Sequence, residues 1–128
     1  MKKYLEANNF ESIDFIYNNS YIYENRIICG ARGWEAEDKK MLRRENMRLE
    51  LSLQDGIKKY GKDKEIIVCM HYPPEFNFIA TMKKYNVKKC IYGHIHGESH
   101  KDAIQGSING IEFKLVSADY LDFKLTQI

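Results

Sequence analysis

Two short stretches, Cys69-Met70-His71-Tyr72-Pro73-Pro74 and Ile91-Tyr92-Gly93-His94-Ile95-His96-Gly97, carry three of the four histidines of this 128-residue chain. Each stretch includes or follows a run of β-branched and other apolar residues, 65–70 and 87–92, and such runs predict buried strands. The histidines therefore fall where a strand ends and a loop begins. In open α/β sheets, ligands bind at the carboxyl ends of the strands.

The segment between the two stretches predicts how they are placed relative to each other. Neither Pro73 nor Pro74 offers an N–H to a strand ladder, so the chain turns there and enters a helix over residues 75–85. A strand over residues 88–92 follows. A strand–helix–strand unit of this kind normally joins parallel strands. We therefore expect the ends of the two strands, and with them their histidines, to meet at one edge of a sheet.

The histidine side chains suit metal binding. Neutral imidazole is the commonest protein ligand for first-row transition metals, and it also exchanges protons near neutral pH. His94 and His96 are two residues apart, and in an extended segment this spacing puts both rings on the same side. Gly93 and Gly97 flank the pair and permit tight backbone geometry. The pattern predicts one cavity into which the histidine nitrogens converge.

At these residues the chain resembles the calcineurin-like metallophosphoesterases. His71-Tyr72-Pro73-Pro74 and Gly93-His94-Ile95-His96 are similar, in order, spacing and position after strands, to the last two metal-binding motifs of that family, H-x-P-P and G-H-x-H. Arg32-Gly33-Trp34, after the apolar run 27–30, resembles a feature of some bacterial members. The resemblance covers the chain from about residue 10 onward.

The family's first three motifs, D-x-H, G-D-x-x-D and G-N-H-[DE], do not occur in this sequence. The resemblance therefore implies an α/β fold that is the carboxyl-terminal half of a metallophosphoesterase-type α/β/β/α sandwich. It implies a mixed sheet with a strand–helix–strand unit and a terminal hairpin. We expect residues 1–128 to form a single partial metallophosphoesterase domain that lacks the amino-terminal metal motifs.

The resemblance also implies roles for individual residues. His71 and His94 would bind one metal ion and His96 another, with Mn, Fe or Zn in the intact family site and one ion or none in this chain. Arg32 would face a phosphate-ester substrate. Catalytic residues are not assigned, because Asp102 and Asp119 lie in no motif that recommends them as replacements for the missing carboxylates.

Two functions follow from this combination of motifs. The first is a metal-dependent phosphoesterase, or a fragment of one, that is a poor catalyst or inactive by itself. The second is a non-catalytic remnant or subunit, which forms a homodimer or docks on another chain that carries the missing motifs. A structural zinc module is disfavoured because no cysteine pair has zinc-finger spacing.

Simpler roles remain open for each candidate residue. His71 could cap its strand without binding a metal, and His94 and His96 could be ordinary polar loop residues. Arg32 could pack and form hydrogen bonds near the sheet edge. His100 has no supporting partner in the sequence, so we expect it to face solvent.

Composition limits the remaining classes of function. Twenty basic and 18 acidic residues give a formal net charge of +2, which provides no strong electrostatic case for nucleic acid or an anionic membrane. Three cysteines without C-x-x-C spacing, each in an apolar run, indicate buried thiols in a reducing compartment. No stretch approaches the roughly 20 apolar residues of a membrane helix. No signal-type segment follows Met1, so the chain is predicted to be cytoplasmic.

Periodicity and turn signals predict the other elements. Leucines recurring at intervals of seven and four residues indicate a long helix, and the Asn-Gly pair indicates a hairpin turn. The predicted elements are helices over residues 2–9 and 35–60, strands over 12–17, 21–23 and 26–30, a hairpin that pairs 102–105 with 111–116 through Asn109-Gly110, and a final strand over 121–125.

Overall fold

A single six-stranded sheet is the framework of the molecule, as seen in a computed structural model that describes residues 1–128. The elements in chain order are α1 (Lys2–Ala7), β1 (Tyr21–Tyr23), β2 (Arg26–Ala31), α2 (Lys39–Tyr60), β3 (Glu65–Met70), α3 (Phe76–Lys84), β4 (Lys89–Tyr92), a 3-10 helix (Gly97–Asp102), β5 (Gly106–Ile108) and β6 (Ile111–Leu115). None of the helices combines the length and the apolar composition needed to cross a membrane.

The strand order is β1-β2-β3-β4-β6-β5, with parallel pairing in the four central strands and antiparallel pairing at both edges. The predicted α/β class, with a mixed sheet, is confirmed. The strand–helix–strand unit is present as β3, α3 and β4, and the terminal hairpin as β5 and β6. Parallel pairing means that four consecutive loops leave the sheet from the same edge, which we call the carboxyl edge.

Strand register determines which loop residues become neighbours at the carboxyl edge. Met70, the last residue of β3, pairs with Ala31 of β2 and with Tyr92 of β4. The backbone bonds continue beyond the strands, because His71 N–H donates to Arg32 O (3.1 Å) and the N–H of Gly93 donates to His71 O (3.2 Å). These main-chain hydrogen bonds by themselves hold the backbones of the candidate residues next to one another.

The core lies between one face of the sheet and the helices α2 and α3. Alternate strand residues point into it, and the fully buried side chains include Ile27, Cys29, Leu49, Leu53, Val68, Phe78, Met82, Cys90, Tyr92, Phe113 and Leu115. Helical spacing of the leucines puts one face of α2 against β2. The cysteines are unpaired, and burial raises the pKa of the Cys29 thiol to about 12, so at neutral pH it is protonated and packs as a small apolar side chain.

The last residues of the chain cross the opposite face of the sheet. Lys114 Nζ donates to Thr126 Oγ1 and to Gln127 O, both at 2.8 Å, and Arg26 Nη1 donates to Ile128 O at 3.4 Å. The predicted strand over 121–125 is wrong. Residues 118–123 form turns instead, and β5 is the edge strand on that side of the sheet.

Two further elements differ from prediction. Residues 12–17 form no strand, although three aromatic or β-branched side chains alternate there, because no neighbouring strand pairs with them. Helix α2 begins at Lys39 rather than at residue 35, and Asp38 is its N-cap, with Oδ1 accepting from Met41 N–H at 3.0 Å.

The terminal hairpin is shorter than predicted. Asn109 and Gly110, with φ of +53° and +78°, form the two-residue turn, and this fixes Ile108 as the partner of Ile111. The first hairpin strand is therefore Gly106–Ile108. The predicted strand over 102–105 is wrong because residue 102 ends the 3-10 helix and residues 103–105 connect it to β5.

Gly56 of α2 provides a test of how tightly the helix packs on the sheet. An added Cβ at Gly56 would lie 2.6 Å from Ile27 Cγ2 and 3.1 Å from Cys29 Sγ. We expect Gly56→Ala to lower the free energy of unfolding by about 1 to 3 kcal/mol through overpacking, even though alanine favours a helix by about 1 kcal/mol. Chemical denaturation measures the change.

The control pair is Met47→Gly and Met47→Ala on the exposed face of the same helix, where Met47 is 65% exposed. There the alanine variant should be more stable than the glycine variant by the propensity difference alone. A Gly56→Ala protein more stable than the wild type would contradict the close packing of α2 on β2.

Candidate functional site

Three loops at the carboxyl edge contain the residues that the sequence singled out. The loop after β2 holds Arg32 and Trp34, the loop after β3 holds His71 and Tyr72, and the loop after β4 holds the other histidines. Arg32 O accepts from both His71 N–H (3.1 Å) and Tyr72 N–H (2.9 Å), so the first two loops are joined through their backbones. The predicted meeting of the strand ends that carry His71 and His94 is confirmed, and the loop after β2 lies beside them at the same edge.

His71 and His94 face each other directly. His71 Nε2 lies 3.2 Å from His94 Nδ1, with the ring centroids 5.0 Å apart and the planes at 73°. The ring of Tyr72 lies against His94 (centroids 4.1 Å, 34°) and meets the His71 ring edge-on at 5.0 Å. Tyr72 thus limits the rotation of both imidazoles and holds their nitrogens toward each other.

The nitrogen separation can be compared with metal coordination. Two nitrogens that each lie about 2.1 Å from a single ion are about 3.0 to 3.4 Å apart at angles of 90° to 109°. The observed 3.2 Å falls in that range. It also fits an N–H···N hydrogen bond between one protonated and one unprotonated ring nitrogen. The 3.2 Å separation is therefore compatible both with a shared ring proton and with two nitrogens on one ion.

The backbone at His94 is not extended. Its φ is +69°, and Ile95 N–H donates to Gly93 O at 2.8 Å, which closes a three-residue turn around His94. A residue with a side chain in this region is strained by roughly 1 to 3 kcal/mol. The expectation that His94 and His96 project side by side from an extended segment is wrong, because the turn sends the two rings to different partners.

His96 binds Asp119 instead of the other histidines. His96 Nδ1 lies 2.8 Å from Asp119 Oδ1, and Gly97 N–H donates to Asp119 Oδ2 at 2.9 Å. The Gly97 N–H first, and then the His96 imidazole, hold the pKa of Asp119 well below its usual range. No hydrogen bond or ring contact joins His96 to His71 or His94.

Asp119 is the residue at this edge that sequence reasoning missed. It follows β6, which is the parallel neighbour of β4, so its loop leaves the sheet beside the loop that holds His96. A parallel pairing of β4 and β6 would have predicted that Asp119 lies near His96. The chain after β6 was instead predicted to continue into a strand over 121–125. Asp102, by comparison, is exposed at the end of the 3-10 helix.

The prediction that His100 faces solvent is wrong, because its side chain is only 22% exposed. The ring packs edge-on against Tyr120, with centroids 5.1 Å apart. His100 Nε2 lies 3.3 Å from Asp119 Oδ2, an ion-pair distance without the alignment of a hydrogen bond. The turn after β6 packs on the 3-10 helix and covers His100. The residues next to His100 along the chain gave no indication of this contact.

Arg32 presents an unpaired cation beside the histidine pair. Its guanidinium lies over the Trp34 ring at 4.5 Å and 5.8 Å from the Tyr72 ring centroid, and no carboxylate lies within ion-pair distance. Stacking on an indole holds the guanidinium plane and leaves its N–H donors free. Such an arrangement can receive an anion with two oxygens, such as a phosphate ester.

The charge state of His71 also bears on what the site can bind. The pKa of His71 lies below its ordinary value, first because of desolvation where the ring packs, although an edge stays open to water. The positive charges of His94, Arg32 and His96 add to this lowering. His71 is therefore neutral at pH 7, and a neutral imidazole has the lone pair that a metal ion requires.

No group of three or more His, Cys, Asp or Glu side chains is arranged so that it could hold a metal ion. The carboxyl edge contains a two-nitrogen pair, His71 and His94, and a separate histidine–carboxylate pair, His96 and Asp119. Each pair fits part of a coordination sphere for a transition metal and neither completes one.

The lowered pKa of His71 is testable in the metal-free protein by NMR titration. We expect His71 to titrate below about 6.5, the ordinary value. His94→Ala should raise this pKa, because it removes both a like charge and part of the desolvation, and Arg32→Gln should raise it less. Since the unfolded chain binds the proton more tightly, the contribution of His71 to the free energy of unfolding falls as the pH decreases below about 6.5. An unchanged pKa in His94→Ala would contradict the close pairing of the two rings.

Backbone strain at His94 is tested by comparing two variants that both lack the imidazole. Glycine adopts a positive φ without a steric cost and alanine does not, so His94→Gly should be more stable than His94→Ala by about 1 kcal/mol. Thermal and chemical denaturation measure the difference. The matched pair at Met47 should show the opposite order, alanine above glycine, and the same order at both positions would remove the case for strain.

No family model matches this chain, and no curated protein or solved structure matches it. The resemblance to the metallophosphoesterases therefore depends on the motifs around residues 71–74 and 93–96, with Arg32-Gly33-Trp34 as a further feature. A functional assignment must come from the chemistry that these residues can perform at the carboxyl edge.

Proposed function

We propose that this chain supplies the histidine half of a metal-dependent phosphoesterase site of the calcineurin-like metallophosphoesterase type. In this proposal the fold is the carboxyl-terminal half of that family's sandwich. The observation that carries the proposal is the His71–His94 pair, with Nε2 and Nδ1 3.2 Å apart at the ends of adjacent parallel strands. Neutral His71 and the strained turn at His94 support it, because strained residues cluster at functional sites.

The proposal gives each residue of the carboxyl edge one task. His71 and His94 donate ring lone pairs to one cation, Mn²⁺, Fe or Zn²⁺, and Tyr72 holds the two rings in place. A cation held there would supply Lewis-acid chemistry, polarising a phosphoryl oxygen and lowering the pKa of a bound water. Arg32 binds and orients the anionic ester, because its N–H donors are free while stacking on Trp34 fixes its plane.

Carboxylates are needed to complete such a site, since neutral imidazoles do not offset the charge of one or two dications. Asp119 does not provide one, because its two oxygens already accept bonds from His96 and Gly97. Asp102 lies at the exposed end of the 3-10 helix. In the proposal the acidic ligands therefore come from outside these 128 residues, either from further sequence or from another chain.

A second candidate function, a non-catalytic subunit that self-associates or docks on a complementing chain, is supported by a different observation. Strand β1 is an open edge of only three residues, and Tyr23 on it is exposed. The segment before it also exposes large apolar side chains, namely Phe10, Ile13, Phe15 and Tyr17. Open edges and apolar patches are typical of surfaces that pair with another chain.

Metal titration tests the principal proposal. Isothermal titration of the purified chain with Zn²⁺ or Mn²⁺ should show binding that His71→Ala and His94→Ala each weaken by about tenfold or more, the size of effect seen when a site loses even an outer partner. His100→Gln, which removes an imidazole away from the pair, is the control and should retain the wild-type affinity. Equal loss of affinity in the control would exclude the His71–His94 pair as the specific site.

The same protein should hydrolyse bis-p-nitrophenyl phosphate with Mn²⁺ no faster than the metal alone, because its carboxylates are missing. Turnover that survives removal of contaminating enzymes and vanishes in His94→Ala would show that these residues suffice for catalysis. Light scattering at the protein concentration of the titration measures the oligomeric state and so tests the second candidate function, self-association. A dimer supports self-association, and a strict monomer counts against it.

A further inference from the structure

We infer that Asp119 is the positioning residue for His96, which it fixes with the proton on Nδ1 so that Nε2 is the atom offered to a cation. That the ligand of His96 is a metal cation rests on the proposed function. Which ring nitrogen carries the proton is independent of that function, because it is a property of the metal-free chain. Asp119 does not touch a substrate in this scheme, and it acts only through His96.

The direction of the hydrogen bond follows from the chemistry of the two groups. Asp119 Oδ1 lies 2.8 Å from His96 Nδ1, and an ionised carboxylate only accepts hydrogen bonds. The proton of this bond must therefore be on Nδ1. In a neutral imidazole the other nitrogen, Nε2, then carries the lone pair, and that lone pair is the atom that binds a metal.

The carboxylate is itself held in place. Oδ2 accepts from Gly97 N–H at 2.9 Å, so the two oxygens of Asp119 bind adjacent residues of the same loop. Gly97 has φ of +58°, which a residue with a side chain adopts only with strain. His100 Nε2, at 3.3 Å from Oδ2, places a further imidazole against the carboxylate. Three groups from one loop and helix thus restrict Asp119 to one orientation.

His96 is left open on its other side. Its side chain is 65% exposed, and its only side-chain partner is Asp119. A structural role alone would be satisfied by burying both edges of the ring. Instead, one edge is fixed by the carboxylate and the rest of the ring faces the solvent, which is the arrangement of a metal-binding histidine whose other nitrogen donates to a carboxylate.

The carboxyl edge offers two separate sets of nitrogen donors. Because the turn at His94 directs its ring to His71, the Nε2 of His96 offers a lone pair outside the His71–His94 pair. Asp119 makes that donor available without rearrangement, since the ring needs no change of tautomer before it binds a cation. Outer partners of this kind typically change metal affinity by about 10- to 100-fold.

Long-range ¹H–¹⁵N NMR of the histidine rings in metal-free protein tests the inference directly. The wild type should show His96 with its proton on Nδ1, the form that free histidine disfavours. Asp119→Ala should shift His96 toward the form with the proton on Nε2. Asp122→Ala is the matched control in the same turn, because the Asp122 carboxylate is exposed and contacts only Lys124 at 3.4 Å. The variant keeps the backbone bond from Asp122 N–H to Asp119 O and should leave the His96 signals unchanged.

Zn²⁺ alone, added to the same samples, gives the second readout. The Zn²⁺ concentration that perturbs the His96 signals should rise about 10- to 100-fold in Asp119→Ala, while the response of His71 and His94 stays as in the wild type. A wild-type His96 with its proton on Nε2 overturns the inference without any variant, so a poorly folded Asp119→Ala protein does not prevent a decision. An unchanged tautomer in a folded Asp119→Ala protein overturns it as well.

These outcomes are distinct from failure of the proposed function. If Zn²⁺ leaves His71 and His94 unperturbed while His96 keeps its proton on Nδ1, the phosphoesterase proposal fails and the role of Asp119 stands. If Zn²⁺ binds His71 and His94 but the His96 proton is on Nε2, the proposal survives and the inference about Asp119 is wrong.

Discussion

Parallel pairing of the four central strands is the constraint on which the site depends. Because Ala31, Met70 and Tyr92 lie in one register across three strands, the residues that follow them leave the sheet at the same edge. The backbone bonds that Arg32 O accepts from the next loop extend this register beyond the sheet. The His71–His94 pair is thus a consequence of strand pairing, and a shift of one residue in either ladder would move the two imidazoles apart.

The carboxyl edge combines three features that do not favour stability. His94 keeps a positive φ, His71 is partly desolvated among positive charges, and Arg32 has no carboxylate partner. Elsewhere, buried cysteines pack as small apolar side chains and Asp38 caps α2, while the buried Glu45 keeps one carboxylate oxygen without a hydrogen-bond partner. Backbone strain and unpaired charge on neighbouring residues are expected where binding, rather than folding, sets the requirements.

Sequence reasoning succeeds here where structure is local and fails where it depends on packing between distant segments. The strand–helix–strand unit and the Asn109-Gly110 turn are set by periodicity and turn chemistry, so they were predictable. The roles of Asp119 and His100 depend on how the turn after β6 packs on the 3-10 helix, and no local pattern encodes that contact. The extended geometry expected at His94 failed because alternation of side chains holds only while the strand continues, and β4 ends at Tyr92.

The distribution of charge explains why the carboxyl edge is more complete as a site for an anionic ester than as a site for a metal ion. Around His71 the chain places Arg32 and two further imidazoles. The oxygens of Asp119 already accept hydrogen bonds from His96 and Gly97, and His100 lies beside one of them. A dication entering this environment meets lone pairs but no free negative charge, whereas a phosphate ester meets an available guanidinium. The carboxyl edge by itself is therefore better suited to the anionic substrate than to the metal. Carboxylates added from elsewhere would reverse that balance, because they would strengthen the metal binding that the imidazoles alone provide.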